Sequence, residues 1–435
     1  MESHIIAAPF NLAQRWQNVM TEACGVDFGT SNSTVGWSRP GQSALLPLED
    51  GKATLPSAVF FNAEEDSIHF GRAALATYLE GGEGRLMRSL KSLLGSSLID
   101  GQTEVLGRAL RYRDLLSQFI AALKTRAEQA AGRPFEQAVF GRPVFFVDED
   151  PVADRLAERT LEEIARGAGF KEIAFQFEPI AAAFDYESTL AREELVVIAD
   201  IGGGTSDFSL VRLSPQRAGK IDRREDVLAN AGVHIGGTDF DKYLSLSGVM
   251  PLFGLGSRLK NNTEMPSSYY FNLATWHTIN LAYTRQAENQ LRDIYRDAVE
   301  RDKLDRLLDL IEQRAGHWLA FQIEQGKIAL SDADTAQLTL DRLRQPVEVT
   351  LQRERFDAAI APLVGKVESA VLGLLDDAGI SPDAVDTVFF TGGSSGVPML
   401  RRQIAQALPT ARRVEGDLFG SIGAGLALDA ARRFG

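Results

Sequence analysis

Two segments of the chain repeat one pattern, and this repeat limits the possible folds more than any other feature. Residues 24–37 read CGVDFGTSNSTVGW and residues 198–211 read IADIGGGTSDFSLV. In each segment an apolar run leads into an aspartate, followed by an apolar residue, glycine, a Thr-Ser pair and a second β-prone run. Strand, glycine-containing turn and strand predict a β-hairpin. Two such hairpins predict two halves built on the same plan, and chance similarity between glycine-rich turns is the alternative.

The rest of the chain alternates strand and helix patterns, which predicts an α/β fold with βαβ units. The patterns indicate a strand at 58–62, a helix that ends at Gly132 and a largely helical stretch over 238–330. Within that stretch, four apolar residues at helical spacing predict a core-facing stripe, and a partner-binding groove is the alternative. The four residues are Leu304, Leu307, Leu308 and Ile311.

Charge and cysteine content argue against several classes of protein. The 435 residues include 46 Lys and Arg and 59 Asp and Glu, which gives a formal net charge of −13. Nucleic acid and anionic lipid are bound by clustered basic residues, so this balance disfavours both. Cys24 is the only cysteine, so no internal disulfide can form. The N-terminal segment does not have the pattern of a signal peptide, and no run of about 18 apolar residues indicates a membrane span. We therefore expect a cytoplasmic protein.

Three glycine-rich turns have the composition of phosphate-binding loops. Glycine lets several backbone N–H groups curve around a phosphate and approach it closely, and Thr and Ser hydroxyls add donors. An aspartate at a strand end suits Mg²⁺, which it can hold through water. The three turns are Asp27 with Gly29, Thr30 and Ser31; Asp200 with Gly202, Gly203, Gly204 and Thr205; and Thr391 with Gly392, Gly393 and Ser394. Two matched loops and a third related one predict a nucleotide site.

The sequence lacks the motifs of other phosphate sites and of several catalytic sites. It has neither the G-x-x-x-x-G-K-[ST] loop of P-loop NTPases nor a G-x-G-x-x-G between a strand and a helix for a dinucleotide. The five histidines are scattered, without an i,i+4 or cysteine partner, which argues against zinc.

Together these motifs resemble the actin-like ATPase superfamily, and most closely the nucleotide-binding domain of the DnaK-type heat shock protein 70 family. GVDFGTSNSTVG and DIGGGTSDFSL resemble its two phosphate loops, and VFFTGGSSGVPML resembles its adenosine motif. SLKSLLG, EPIAAAFDY, HIGGTDFD and GSIGAGLAL are similar to four further segments of that domain. The resemblance runs in order from about residue 24 to the C-terminus. It implies the duplicated, ribonuclease H-like actin fold, an α/β architecture with two lobes around a cleft that holds ATP or ADP with Mg²⁺.

The resemblance also implies a role for individual residues. Lys91 and Glu178 would act on the γ-phosphate and the attacking water, and Asp200 and Asp207 complete the implied catalytic group. Asp27 and Asp200 would hold Mg²⁺ through water. The implied nucleotide-binding residues are Asp27, Gly29, Thr30, Ser31, Asn32, Gly202, Gly203, Gly204, Thr205, Gly236, Gly237, Glu324, Lys327, Ser331, Gly392, Gly393, Ser394 and Asp417.

The sequence departs from the family pattern in two places. The two arginines that sandwich adenine in the family are replaced here by Ile328 and Gly396. Because a cation–π contact is worth about 0.5–2 kcal/mol, we expect weaker adenine binding or altered base selectivity. The sequence also ends at Gly435, directly after the closing helix. We therefore expect a nucleotide-binding domain without the family's C-terminal peptide-binding domain.

By the same resemblance the chain divides into lobe I at 1–192, lobe II at 193–416 with its helical subdomain at about 238–330, and a C-terminal helix at 417–435 that returns to lobe I. We expect a weak chaperone-like ATPase, monomeric or weakly oligomeric, that acts on a protein partner or client and has no nucleic-acid or membrane partner. The alternatives are a small-molecule (sugar-type) kinase of the superfamily and a nucleotide-binding filament or scaffold protein. For the latter, the apolar segment 247–259 is the candidate contact.

Overall fold

Over the residues that the structure describes, the protein is an α/β structure with five separate β-sheets. A computed structural model describes residues 22–96, 98–147 and 150–435, so the extension before Cys24 lies outside the described residues up to position 21. The strands of the described residues are β1 (Ala23–Asp27), β2 (Asn32–Gly36), β3 (Thr54–Pro56), β4 (Ala58–Asn62), β5 (Ser67–Phe70), β6 (Gly84–Arg88), β7 (Gln102–Val105), β8 (Arg108–Arg111), β9 (Gln137–Arg142), β10 (Glu172–Phe177), β11 (Glu194–Ile201), β12 (Ser206–Leu213), β13 (Val227–Val233), β14 (Thr335–Leu340), β15 (Val347–Gln352), β16 (Thr387–Thr391) and β17 (Arg412–Glu415).

Helices cover the faces of these sheets and fill the region between β13 and β14. The α-helices of the described residues are α1 (Gly71–Leu79), α2 (Tyr112–Ala131), α3 (Pro151–Gly167), α4 (Glu178–Glu187), α5 (Gly237–Leu244), α6 (Ser268–Leu273), α7 (Arg285–Tyr295), α8 (Arg301–Glu312), α9 (Gly316–Asp332), α10 (Arg353–Asp377), α11 (Pro398–Ala407) and α12 (Ser421–Phe434). Short helical turns occupy Leu90–Leu93, Arg224–Asp226, Ser245–Val249, Met250–Phe253, Trp276–Tyr283, Pro382–Ala384 and Gly393–Gly396.

Two five-stranded sheets share one topology. The first has the order β3-β2-β1-β9-β10, and the second has the order β13-β12-β11-β16-β17. In each sheet the first three strands pair antiparallel, and the other two continue the sheet parallel to the central strand. The predicted duplication is therefore confirmed, and the fold is the actin-like, ribonuclease H-like architecture.

Both predicted hairpins are present, and each places an aspartate at the end of its sheet's central strand. Asp27 lies opposite Thr34 in the β1–β2 pair, and Asp200 lies opposite Asp207 in the β11–β12 pair. The central strands are covered on both faces, so their sequences are almost continuously apolar. The change from apolar run to aspartate therefore marks where each central strand leaves the core.

Each of these two sheets has a hydrophobic core of its own. The first core packs β1, β2 and β9 against α2 and α3, and we call the part built around it, with β3 to β8, β10 and α1, lobe I. The second packs β11, β12 and β16 against α5, α10 and α11 and continues into the helices between β13 and β14. We call this part, with β13 to β15 and β17, lobe II.

Helices α4 and α12 lie between the two lobes and cross each other closely. A third core cluster joins α4 and α12 to strands of both sheets. Small residues permit the crossing, because a β-carbon on Gly425 would overlap the carbonyl oxygen of Ala181. On its other side α12 lies against lobe I, since a β-carbon on Gly25 in β1 would overlap the backbone of Leu426 and Ala427.

Most local expectations agree with this structure. Helix α2 ends at Ala131 and Gly132 follows in the left-handed conformation at φ 69°, as a C-cap glycine does. In α8, three residues of the predicted stripe are buried and Leu308 packs against the same core, so the stripe belongs to the core of lobe II.

One helix meets the length and composition criteria of a membrane span. Helix α10, Arg353–Asp377, is long and apolar enough to span a membrane by length and composition alone. Its apolar side faces the core of lobe II, where Phe356, Ile360 and Val364 are buried. The helix is therefore explained by packing between β13 and α11, within the described part of the chain.

Candidate nucleotide site

The turns of the two hairpins meet between the lobes. A β-carbon on Gly203 would overlap Ser31 Oγ, so the missing side chain lets the two turns approach each other. Gly29 has a related role in the first turn, where a β-carbon would overlap the carbonyl oxygen of Asn32. Thr30, between Gly29 and Ser31 in the sequence, is partly exposed. The two predicted phosphate loops therefore lie side by side, with backbone and hydroxyl groups of both close together.

The second turn is held in shape by the segment that begins α5. Gly237 N donates to Gly202 O at 3.0 Å, and Thr238 N donates to Gly203 O at 2.7 Å. A β-carbon on Gly236 would lie 2.7 Å from the carbonyl carbon and oxygen of Gly203. Gly236 and Gly237 thus lie behind the turn and fix the direction of its peptide groups.

A buried serine holds the first turn, and none of the sequence motifs included it. Ser57 Oγ donates to Gly29 O at 2.6 Å and lies 3.0 Å from Ser33 Oγ. Its backbone N–H donates to Ser31 O at 2.9 Å. Ser57 precedes β4, far from the turn in sequence, and only the pairing of β2 with β3 brings it there.

Lys91 and Glu178 form an ion pair at the base of the cleft. The lysine Nζ donates to Glu178 Oε1, and both side chains are only 12% exposed. Burial alone would lower the pKa of Lys91, but Glu178, Asp27 and Asp200 outweigh it and raise the pKa. Glu178 begins α4 and Lys91 lies in the turn Leu90–Leu93, so the two residues come from distant parts of the sequence.

The two strand-end aspartates, Asp27 and Asp200, act on Lys91 together with Glu178, so negative charges outnumber the one positive charge. Burial raises the pKa of Asp27 to about 7, and the charge of Glu178 raises it as well. Burial likewise raises the pKa of Asp200 to about 8, with further contributions from Asp207, Glu178 and Asp27. Lys91 acts in the opposite direction on both. One lysine therefore does not balance the carboxylates gathered here.

Asp207 is more exposed than the other three carboxylates. It accepts a hydrogen bond from Thr205 Oγ1 at 2.8 Å, which orders the end of the second turn beside Gly204. Its effect on the cluster is electrostatic, because its charge raises the pKa of Asp200 on the paired strand.

The third glycine-rich turn closes over the end of β11. Gly392 has φ +80°, and a β-carbon there would lie 2.5 Å from both Asp200 Oδ1 and Ile201 O. Gly393 packs against the ring of Phe419, at 2.5 Å from the position of a β-carbon. The next residue, Ser394, is buried and its hydroxyl would overlap a β-carbon on Gly237.

Helix α9 meets these loops from the helical side of lobe II. Lys327 Nζ donates to Gly237 O at 3.1 Å and to Asp241 Oδ2 at 2.9 Å. Burial raises the pKa of Asp241 to about 6, while Lys327 lowers it and Glu324 raises it. Asp241 was not among the predicted residues, although it is the last letter of the HIGGTDFD segment.

The two positions that lack the expected arginines lie on α9 and in the third glycine-rich turn, and Ser331 of α9 approaches that turn. Ser331 Oγ is 3.6 Å from the position of a β-carbon on Gly396, and Ile328 on the same helix is 50% exposed. The space between α9 and the third turn is therefore bordered by small, polar and aliphatic groups.

Asp417 lies at the edge of this arrangement. Its Oδ1 accepts a hydrogen bond from Phe419 N at 3.1 Å, in the turn that leads into α12. Phe419 in turn packs on Gly393, so the aspartate shapes the segment that supports the third loop. The carboxylate itself is exposed.

The donor groups of the site fit a hydrated Mg²⁺ bound between phosphates. Two buried aspartates with raised pKa values are stabilised in their charged form by a nearby divalent cation. Across the described residues, no three His, Cys, Asp or Glu side chains are placed to hold a metal directly. A divalent cation at this position would offset the surplus charge of Asp27 and Asp200.

Comparison with known proteins finds relatives over most of the chain. The family profile described as "Hsp70 protein" matches residues 23–247 and 289–429, which is most of the chain. The Chaperone protein HscA of Shigella boydii is 27% identical over 432 residues, covering 94% of this chain and 58% of the relative. The HscA homolog of Azotobacter vinelandii is 29% identical over 406 residues, covering 88% of this chain and 53% of the relative.

The chain thus spans a little over half the length of the curated relatives that it matches. The profile match is interrupted at 248–288, a stretch that contains short helical turns and α6. The match covers both phosphate-loop hairpins, the α4 segment and the third glycine-rich turn. The chain belongs to the Hsp70 family.

Proposed function

We propose that this protein binds ATP and ADP with Mg²⁺ and hydrolyses ATP slowly. The observation that carries the proposal is the convergence of Asp27, Asp200 and Glu178 on Lys91 beside two glycine turns that meet at Ser31. Backbone N–H groups of the turns would bind the phosphates, and Mg²⁺ held through Asp27 and Asp200 would offset their charge. Phosphoryl transfer depends chiefly on positioning and charge stabilisation, which this arrangement supplies.

The Lys91–Glu178 pair gives these two residues distinct proposed roles. The ammonium group of Lys91 would stabilise negative charge on the γ-phosphate, and the Glu178 carboxylate would orient the attacking water. Their ion pair keeps both side chains in place before nucleotide arrives. Residues of α9 and the third turn, including Glu324, Lys327 and Ser331, would face the ribose and base.

The proposed division of the chain follows the two sheets. We assign 1–192 to lobe I, 193–416 to lobe II and 417–435 to the helix that returns to lobe I. We further propose that nucleotide-dependent closure of the lobes acts on a protein partner or client in the cytoplasm, because the matched relatives are named as chaperones. A nucleic-acid or membrane partner is not part of this proposal.

The segment that the filament alternative would use as a subunit contact has its large apolar residues buried. Within the segment 247–259, Val249, Met250 and Phe253 are fully buried in the core of lobe II. A surface that joins subunits would expose such residues. The kinase alternative makes a different prediction, since it requires a second substrate to accept the phosphate.

Phosphate release from ATP by the purified protein with Mg²⁺ tests the proposal. We expect slow hydrolysis that does not depend on an added sugar acceptor and that falls by about 100-fold or more in Lys91→Ala and Asp200→Asn. Lys124→Ala is the matched control, because Lys124 also pairs with a carboxylate, Glu128, but lies outside the cleft. Phosphate transfer that requires an acceptor would favour the kinase, and binding without turnover would favour a scaffold.

Base recognition can be tested separately at the position of a missing arginine. Ile328→Arg would restore one cation beside the proposed adenine position, and we expect ADP affinity to rise by about 3- to 10-fold. Leu372→Arg, which replaces an exposed aliphatic residue on α10, is the control and should leave affinity unchanged. Equal ADP affinity in Ile328→Arg and the parent protein would show that Ile328 does not border the base.

A further inference from the structure

An aromatic ring lies half-exposed beside the third glycine-rich turn. Phe419, in the segment between β17 and α12, is 50% exposed. The position of a β-carbon on Gly393 lies 2.5 Å from Cε1 of this ring, 3.0 Å from Cζ and 3.5 Å from Cδ1, and these three atoms form one edge. The turn therefore contacts the ring by its edge and leaves a face open. An open aromatic face among a few polar groups is typical of a small-molecule site.

The backbone on either side of Phe419 holds the ring in place. Asp417 Oδ1 accepts a hydrogen bond from Phe419 N at 3.1 Å, and Asp417 O accepts one from Ser421 Oγ at 2.6 Å. The next residue, Gly420, is buried, and a β-carbon there would lie 2.4 Å from Leu45 Cδ1. A ring that is fixed before its ligand arrives loses little conformational freedom on binding, which favours affinity.

Three segments meet at Gly396, one of the two positions that lack the expected arginines. A β-carbon there would lie 3.6 Å from Ser331 Oγ on α9 and 3.9 Å from Leu418 Cδ1, next to Phe419 in the sequence. Ile328 lies three residues before Ser331 on α9 and is also 50% exposed. Two exposed apolar side chains, Ile328 and Phe419, thus come from segments that converge on one glycine.

The cation of α9 at this end of the cleft already has partners. Lys327 is buried, and its Nζ donates to Gly237 O at 3.1 Å and to Asp241 Oδ2 at 2.9 Å. The groups that converge at Gly396 are a hydroxyl and aliphatic and aromatic side chains. A base placed here would therefore be held by stacking and dispersion at its face, where the family uses cations.

We infer that the ring of Phe419 stacks on the purine base of the bound nucleotide and takes the place of the arginines that sandwich adenine in the family. The inference rests on the proposed nucleotide site and adds the residue that binds the face of the base. Stacking on an aromatic ring tolerates different bases, because every base has a π-face. The ring therefore contributes equally to an adenine and a guanine nucleotide, and the ligand class is a purine nucleoside di- or triphosphate.

Equilibrium binding of ADP, GDP and pyrophosphate, each with Mg²⁺, tests the inference, because pyrophosphate has the phosphates without the base. A base–aromatic stack changes affinity by about 5- to 100-fold. We expect Phe419→Ala to lower the affinities for ADP and GDP by similar factors within that range and to leave the affinity for pyrophosphate unchanged. Phe419→Trp should keep the parental affinity for both nucleotides, because the indole ring also stacks.

Phe145→Ala is the matched control for these measurements. Phe145 is 51% exposed, as Phe419 is, but it follows β9 in lobe I, so its loss should leave all three affinities unchanged. Equal ADP affinity in Phe419→Ala and in the parent protein would overturn the inference. An equal fall in the affinities for ADP and pyrophosphate would also overturn it, since the ring would then only support the third turn.

Gly393→Ala tests the same contact from the side of the turn. The added methyl group would displace the ring of Phe419, while the backbone of Gly393 lies outside the left-handed region. We expect the affinity for ADP to fall by about 3- to 10-fold in the parent background and to stay the same when Gly393→Ala is added to Phe419→Ala. A fall of the same size in both backgrounds would contradict the inference.

The three ligands also separate this inference from the proposed function. A parent protein that binds neither ADP nor pyrophosphate would contradict the proposed function and overturn the inference with it. A parent protein that binds both, together with parental ADP affinity in Phe419→Ala, would leave the proposed phosphate site in place and overturn the stacking alone.

Discussion

Gly392 lies so close to Asp200 that no side chain fits between them. A β-carbon at Gly392 would lie 2.5 Å from Asp200 Oδ1 and equally close to the carbonyl oxygen of Ile201. The backbone of Gly392 is also left-handed, at φ +80°, a conformation that residues with a side chain rarely adopt. The third loop and the strand-end aspartate of the second hairpin are therefore positioned by one glycine.

We predict that Gly392→Ala lowers both stability and affinity for Mg²⁺–ADP. The left-handed backbone costs about 1–2 kcal/mol with alanine, and the overlap displaces the Asp200 carboxylate from its position. Gly41→Ala separates the two effects, because Gly41 has φ +68° with no atom near the position of a β-carbon. Calorimetric titration should show affinity reduced in Gly392→Ala alone, and equal affinity in both variants would contradict the steric argument.

A buried arginine at the end of α4 gives a prediction about stability. Arg223 is fully buried and bonds to both oxygens of Glu187, at 2.9 and 2.7 Å, and to Asp226. Arg223→Met would leave the buried Glu187 without its arginine and Asp226 with Arg217 alone, so the free energy of unfolding should fall by about 3–5 kcal/mol. Arg224→Met is the adjacent control, since Arg224 is exposed and pairs only with Asp222. Urea denaturation of the two variants measures the contrast, and similar midpoints would refute it.

The sequence predicts the parts of the site that depend on local chemistry. The repeated hairpin is visible because a buried central strand must be apolar and must end in the aspartate that leaves the core, as at Asp27 and Asp200. The glycines of the turns are visible for the same local reason. The resemblance added Lys91 and Glu178, whose residue types alone carry no signal.

Residues whose role depends on distant pairing were missed. Ser57 reaches the first loop only because β3 pairs with β2, and Asp241 becomes a partner of Lys327 only when α5 and α9 pack together. Arg88 and Trp276 meet across the two lobes, and nothing in either local sequence indicates the other. Such contacts follow from tertiary geometry and from no local pattern.

Stability at mildly acidic pH should depend on His317. Burial, aided by the charge of Arg88, lowers its pKa to about 4, while the same group in the unfolded chain titrates near 6.5. As pH falls below about 6.5 the unfolded state takes up the proton first, so the contribution of His317 is complete above that pH and is lost toward pH 4. Its contribution should be about 2 kcal/mol smaller at pH 4.5 than at pH 7.

The free energy of unfolding is measured from pH 4.5 to 7 in the parent protein and in His317→Gln. The variant should lack the part of the pH dependence that comes from His317. His277→Gln is the control, because His277 is exposed on the neighbouring helical turn and should retain the parent slope. If the free energy of unfolding of His317→Gln fell with pH as steeply as that of the parent protein, other groups would account for the acid sensitivity.

The close crossing of α4 and α12 leads to a prediction about stability. The control variant should change stability in the opposite direction. Gly425→Ala would place a methyl group against the carbonyl oxygen of Ala181, so the two helices must move apart and the core that joins the lobes loses contacts. We expect a lower melting temperature in differential scanning calorimetry. Gly373→Ala, at an exposed position of α10 with open space around it, should instead stabilise the protein by up to about 1 kcal/mol through helix propensity. If both variants raised the melting temperature, the close approach of the two helices would not limit stability.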